Sequence, residues 1–313
     1  MAYFAIFPAV KAPIYPLKFL LIPALLLGWT HYPDADANLE QAQHYRRLLD
    51  PLHPALAQPQ PEEWRSIHPE TPQSLEAYIQ AHPQRATDER NKIYVQLIGR
   101  PNARQQAILQ QTFDYLEHFF ALPVIVADTT LISAIPARAQ RKVEGHRQLL
   151  TSYLLKRVLK PNLPDDAAAY VAFTAEDLYP KKSWNYVFGN ASIKDRIGVW
   201  SIYRFGDPTQ NKKNYQLCLM RSIKTAVHET GHIFSLRHCL YKSCVMNGSA
   251  HLEEADARPH YLCNHCVAKL YWNLEWDVVD RYSKLSQFWN QQSLPEKGQF
   301  AKQAHQLLQN GNP

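Results

Sequence analysis

His228, His232 and His238, followed by four cysteines between positions 239 and 266, are spaced so as to limit what this chain can fold into. His228-Glu229-Thr230-Gly231-His232 lies near the end of Ser222–Ser235. Ile223, Ala226, Val227, Ile233 and Phe234 give that segment an apolar surface suited to a helix. Residues at i and i+4 share a helix face, one turn apart. Two imidazoles so placed can hold one Zn²⁺ between them. Glu229 directly follows the first, so its carboxylate can sit beside the metal without binding it. There it can take a proton from water that the metal acidifies. By itself the pattern also occurs in helices that bind nothing. His238 adds a third imidazole, with Ser235 starting the bend that returns it to the metal. Three protein ligands leave one position open, as a catalytic zinc requires. Glu253 or Glu254 is the competing third ligand. The short spacing from His232 favours His238.

Cys239-x₄-Cys244 follows at once, and Cys263-x₂-Cys266 comes after a loop. Two thiol pairs separated by a loop suit a tetrahedral Cys₄ zinc site. His265, inside the second pair, offers a Cys₃His variant. A structural zinc here would contribute on the order of 10 kcal/mol of apparent binding to folding. It would also restrict where His238 points. The fifth cysteine, Cys218, stands apart and reads as a buried idle thiol. An odd total of five thiols, four of them crowded into one stretch, does not suit a secreted disulfide framework. It favours a reducing, cytoplasmic compartment. Met246, two residues past Cys244, is placed to form a methionine turn beneath the first metal.

The rest of the chain is globular in composition, with 46% hydrophobic and 20% charged residues. Its 313 residues allow two domains or one enlarged one. The net charge of +6 is spread in short pairs such as Lys181-Lys182, with no basic stripe, so nucleic acid is not an expected partner. Residues 19–27 are apolar, with Lys11 and Lys18 upstream. They are too few to span a bilayer as a helix and are broken by Pro23. They read either as a signal or anchor, the one route to membrane contact, or as a packed arm. Residues 1–62 form this apolar segment and a polar, Pro-rich lead-in with a helix near Leu39–Leu49. From Trp64 the pattern alternates. Strands are expected at 93–98, 124–127 (short and buried), 168–173 and 197–203, and helices at 103–121 and 138–160. That alternation predicts an α/β fold with a mostly parallel twisted sheet over residues 63–275. Residues 276–313 read as a peripheral helical tail.

The string His228-Glu-x-x-His232-x₅-His238-Cys239-x₄-Cys244-x-Met246, followed by Cys263-x₂-Cys266, resembles the archaemetzincins. Segments Trp64–Glu70, Asp177–Pro180, Trp184–Gly189 and His251–Asp256 are similar to that family too. The resemblance implies a metzincin-like zinc metalloprotease with one catalytic and one structural zinc, acting on peptides or proteins. His228, His232 and His238 would hold the first ion and the four cysteines the second. Glu229 would be general base and then acid, and Met246 the Met-turn. An extended substrate would lie along an edge strand, at residues 197–203 or just before them. The family motif has Gly where this chain has Ser235. A left-handed Ser costs about 1–2 kcal/mol, so either the Cys₄ staple absorbs that strain or the turn takes another form. Two rival readings remain: a catalytically silent zinc protein, and a zinc-ribbon interaction module.

Overall fold

A computed structural model of the chain describes residues 33–311, with side chains from residue 37 onward. The apolar run 19–27 lies outside the described residues. Among them no helix is long and apolar enough to cross a membrane.

The strands are β1 (Lys92–Ile98), β2 (Val124–Thr130), β3 (Gln140–Val143), β4 (His146–Leu150), β5 (Ala167–Thr174), β6 (Asp177–Tyr179), β7 (Gly189–Ser192) and β8 (Ile197–Ser201). The helices are α1 (Pro33–Leu49), α2 (Trp64–Ile67), α3 (Leu75–Gln80), α4 (Ala103–Phe120), α5 (Thr151–Tyr153), α6 (Lys212–Ile233), α7 (Leu252–Ala257), α8 (Asn264–Leu274), α9 (Val278–Gln291) and α10 (Pro295–Gly311). The main sheet has the order β2-β1-β5-β8-β7. Its first four strands are parallel, and β7 runs antiparallel to β8 at the far edge. A smaller sheet has the order β3-β4-β6.

Every residue of the central strand β5 is buried. Ala169, Val171 and Phe173 join the larger core with α4 and α6. Tyr170 and Ala172 face a second core, made by Leu149, Leu178 and the π-helical turn Leu154–Leu159 after α5. A strand covered on both faces has little room for polar side chains, which is why Ala168–Phe173 is an almost unbroken apolar run.

Three expectations need correction. Residues 124–127 are a strand, but not a buried one: β2 is the sheet's edge, and Val126 is 55% exposed. Residues 138–160 begin as the hairpin β3–β4, not as a helix. Glu144 and Gly145 both take left-handed φ, 50° and 83°, as a two-residue type I′ turn demands. That turn outweighs the helical spacing, and apart from a single 3-10 turn at Ala137–Ala139 helical backbone starts only at Thr151. The tail is not peripheral. Tyr282, Leu285, Phe288 and Trp289 of α9, with Ala304 and Leu308 of α10, lie in the same core as α6. The wholly buried Arg281 donates from Nε to Phe119 O at 2.7 Å, with its guanidinium against the Trp276 ring. At the other end α1 packs along α8, so the body includes the lead-in from residue 33 onward.

Candidate metal centres and active site

Helix α6 carries the first group of ligands. Asn211 caps it, accepting from Asn214 N at 2.9 Å. The helix therefore starts at Lys212, well before the apolar segment singled out from Ser222. His228 and His232 project from its last turns. His228 Nδ1 lies 2.8 Å from Val245 O, and His232 Nδ1 lies 2.6 Å from Leu236 O. His238 Nδ1 lies 2.8 and 3.1 Å from the two carboxylate oxygens of Glu70. Carbonyl and carboxylate oxygens only accept, so each Nδ1 carries a proton, and Nε2 is the ring atom left to face a metal. Burial holds His228 down to about 3, and burial with the neighbouring His228 holds His232 far below its usual value, so both rings are neutral near pH 7.

These ring atoms converge. The Nε2 atoms of His228 and His232 are 3.0 Å apart, and one ring nitrogen from each of the three histidines lies within 4.8 Å of the others. His238 Nε2 is buried without a hydrogen-bond partner. Clustered lone pairs repel, and a shared cation removes the conflict. Tetrahedral Zn–N bonds of about 2.0–2.1 Å would set the nitrogens roughly 3.4 Å apart. The donor set fits zinc. Glu229 is buried on the same helix, and burial pushes its carboxyl up to about 7.

The rival third ligand is excluded by its bonding. Glu254 accepts from Trp64 N, Ala250 N and Arg258, and neither it nor Glu253 joins the histidine group.

The turn out of α6 keeps the left-handed form: Ser235 has φ 65°. Its strain is offset by contacts the sequence reading did not include. Ser235 Oγ accepts from Gln84 N at 3.0 Å, and its carbonyl accepts from Gln73 Nε2 at 3.1 Å. Gln73 Oε1 takes Arg237 N, and Tyr78 OH donates to Phe234 O at 2.6 Å. Each such bond is worth about 1 kcal/mol net. Together they can match the cost of a non-glycine residue there.

Glu70 is the functional candidate that sequence reasoning missed. It lies 168 residues from His238, in a segment noted only for its family likeness. Trp64 Nε1 donates to Glu70 Oε2 at 3.1 Å, and the Trp64 ring meets His238 edge-on at 5.0 Å. Gly248 leaves room for that indole, because a Cβ there would lie 2.3 Å from Trp64 Cδ1. A tryptophan followed six residues later by a glutamate is no local metal signal, so only the fold could reveal the pair.

The four cysteines form a second, fully buried group with their sulfurs within 4.8 Å of one another. Cys239 and Cys263 sulfurs are 3.5 Å apart, close to the roughly 3.8 Å edge of a tetrahedron with 2.3 Å Zn–S bonds. Cys244 Sγ accepts from Cys263 N at 3.1 Å and from Met246 N at 3.4 Å, yet burial pushes its thiol well above the usual value, and the hydrogen bond with Cys239 does the same to Cys266. Hydrogen bonds from Cys244, Cys263 and Cys266 draw the Cys239 thiol well below its usual value. His265 stacks on Tyr241 at 4.2 Å and stays out of the group. Cys218 is buried elsewhere, and burial lifts its thiol to about 11.

Met246 joins the two centres. Its carbonyl accepts from Cys239 N at 2.7 Å. Its sulfur packs beneath the helix, where a Cβ on Gly231 would come within 2.7 Å of Sδ. Gly231, between the two helical histidines, is what lets the methionine approach.

The profile of peptidase family M54 matches residues 148–271, a span that holds both ligand groups but not Glu70. Archaemetzincin-2 of Homo sapiens is 34% identical over 284 residues, covering 80% of this chain and 78% of its own. The chain belongs to the archaemetzincin family. An archaemetzincin from Thermococcus kodakarensis is 38% identical over 134 residues, covering 41% of this chain and 69% of its own. The crystal structure of an archaemetzincin from Methanopyrus kandleri is 28% identical and covers 60% of this chain and 98% of its own, at a TM-score of 0.48. Membership makes this archaemetzincin a zinc metallopeptidase, a hydrolase of peptide bonds.

Proposed function

We propose that His228, His232 and His238 hold a catalytic zinc, that Cys239, Cys244, Cys263 and Cys266 hold a structural one, and that Glu229 is the general base and acid of peptide hydrolysis. The observation that carries this reading is the convergence of the three Nε2 atoms beside a buried carboxylate. When bound, zinc supplies Lewis acidity, polarising a carbonyl and acidifying water. The chain supplies the rest. The carbonyl oxygens of Val245 and Leu236 and the carboxylate of Glu70 fix the tautomer and aim of each imidazole. Glu229 takes a proton from the attacking water and returns it to the leaving amine. A carboxyl lifted to about 7 is matched to both tasks near neutral pH. The extended substrate lies along β7. Residues 197–203 do not serve, because β8 is bonded on both sides, by β5 and β7. The stretch just before it, β7, has a free edge, at the opposite side of the main sheet from the edge strand β2. Met246 supports the helix from below as the Met-turn.

A digest of a peptide mixture tests this reading. Cleavage is expected to stop with a chelator and to return with added zinc, and metal analysis to give two ions per chain. A silent zinc protein would hold two and cut nothing, and a ribbon module would hold one.

The Glu70 contact makes a separate prediction. His228 and His232 are backed by main-chain oxygens that no substitution removes, whereas His238 depends on one side chain. Glu70→Ala is expected to weaken zinc at the histidine site about 10–100-fold in a chelator competition. Glu70→Gln, which still offers an acceptor, should restore most of it. Equal affinity in all three proteins would remove Glu70 from the site.

A further inference from the structure

A cavity of about 40 Å³ opens directly beside His228, lined by Lys224, Val245, Asn247, Arg258 and Pro259 among others. Lys224 sits four residues before His228 on α6, so it extends the metal-facing stripe by one turn, about 6 Å along the axis. Both of its hydrogen bonds go to main-chain carbonyls, Ala255 O at 3.0 Å and Asp256 O at 2.8 Å. An ammonium has three N–H donors, so one is left. The acids around it are already matched. Asp256 is held by Arg221 at 2.5 and 2.9 Å, and Arg258 faces both Glu254 and, at 3.9 Å, Glu63. Arg221 and Lys297 add like charge nearby, and burial draws the Lys224 ammonium down to about 8. Arg258 also lines the cavity, and its Nε is buried with no acceptor. The space therefore offers a spare donor on each of two cations, Lys224 and Arg258. It has room for only a few water-sized atoms.

We infer that this cavity receives the carboxylate of an aspartate or glutamate next to the scissile bond, with Lys224 as the specificity-determining residue and Arg258 as a second donor. The inference rests on the hydrolase reading above and names the substrate class for that site. An extended chain advances about 3.3 Å per residue, so a cation one helical turn from His228 is within reach of a side chain flanking the reacting carbonyl. The carboxylate would replace lost hydration with charge-assisted bonds in a partly buried place, where they are stronger than in water. The small volume disfavours aromatic side chains.

The test uses zinc-loaded protein at pH 7 and peptides blocked at both ends, so that the only carboxylate is the one varied. Asp and Asn are compared at each of the two positions flanking the cleaved bond. At one of them the Asp peptide is expected to show kcat/KM at least roughly tenfold higher, carried by KM, as one extra charged hydrogen bond provides. In Lys224→Met that ratio should fall to about one, and in Lys224→Glu a Lys peptide should replace the Asp peptide as the better substrate. Binding of the same peptides to the zinc-loaded Glu229→Gln protein gives a readout independent of turnover. If nothing is cut but the Asp peptide binds about tenfold tighter, the hydrolase reading fails and the acidic-residue site stands. Equal handling of Asp and Asn by the wild-type protein, in cleavage and in binding, overturns the inference whether or not the variants fold. A preference kept intact in a folded Lys224→Met protein overturns the role of Lys224.

Discussion

Glu229→Gln protein is expected to fold, keep both metal groups loaded, and lose peptide hydrolysis by at least about 10²–10⁴-fold, the range typical of a positioned acid–base group. The amide matches the carboxyl in size, so the buried pocket on α6 is not emptied. The three imidazoles keep their own partners: the bonds to Val245 O, Leu236 O and Glu70 do not involve position 229. What the amide lacks is a titratable site. The native carboxyl is pushed up to about 7 by burial, so it can accept a proton at neutral pH and release it again. Two measurements check this: zinc per chain by metal analysis, and kcat/KM on any peptide the wild-type protein cuts. Loss of activity together with loss of zinc from the histidine site would mean that Glu229 builds the site rather than runs it. Undiminished activity with normal zinc would falsify the general-base role.

How much of this could be read from residues alone depends on distance along the chain. His228, Glu229 and His232 share one helical face, so spacing predicts their juxtaposition. His238 and the paired cysteines follow within a short stretch, and ligand arithmetic places them too. The central strands were legible because burial on both faces of β5 and β8 leaves continuous apolar runs. At β2 the same kind of run gave a false reading of depth. Val124-Ile-Val suits any pleated backbone, and nothing local says that one side is an open edge. In the hairpin, Glu144-Gly145 was a turn signal hidden within a pattern that also matched helical spacing. Glu70, Trp64, Gln73 and Gln84 were invisible as site residues for a different reason. They act on His238 and Ser235 across gaps of more than 150 residues, and polar residues far apart leave no periodic trace. The tail misled because Gln-rich composition masks Tyr282, Phe288 and Trp289, whose spacing on α9 buries one face in the core.

Cys266→Ser is expected to have the largest effect on stability. A structural zinc held by four thiolates contributes on the order of 10 kcal/mol of apparent binding to folding, comparable with the whole stability of a typical domain, about 5–15 kcal/mol. A serine hydroxyl in place of one ligand is a poor donor for zinc, and it would leave a polar group in a site where all four sulfurs are buried. The consequence is directional. Cys239 and Cys244 bracket the loop that leaves His238, while Cys263 and Cys266 open α8, which packs against α1 and α3. Cutting the staple frees that loop from α8 in the unfolded balance. His228 and His232, however, stay on α6, and His238 remains tied to Glu70. Soluble yield and melting temperature should therefore fall steeply, while zinc at the histidine site of each surviving folded molecule changes much less. Metal analysis of the soluble fraction beside a thermal melt separates the two quantities. A Cys266→Ser protein that melts where the wild type does, in metal-free buffer and with zinc alike, would show that the four sulfurs pack as an ordinary apolar cluster and carry no ion.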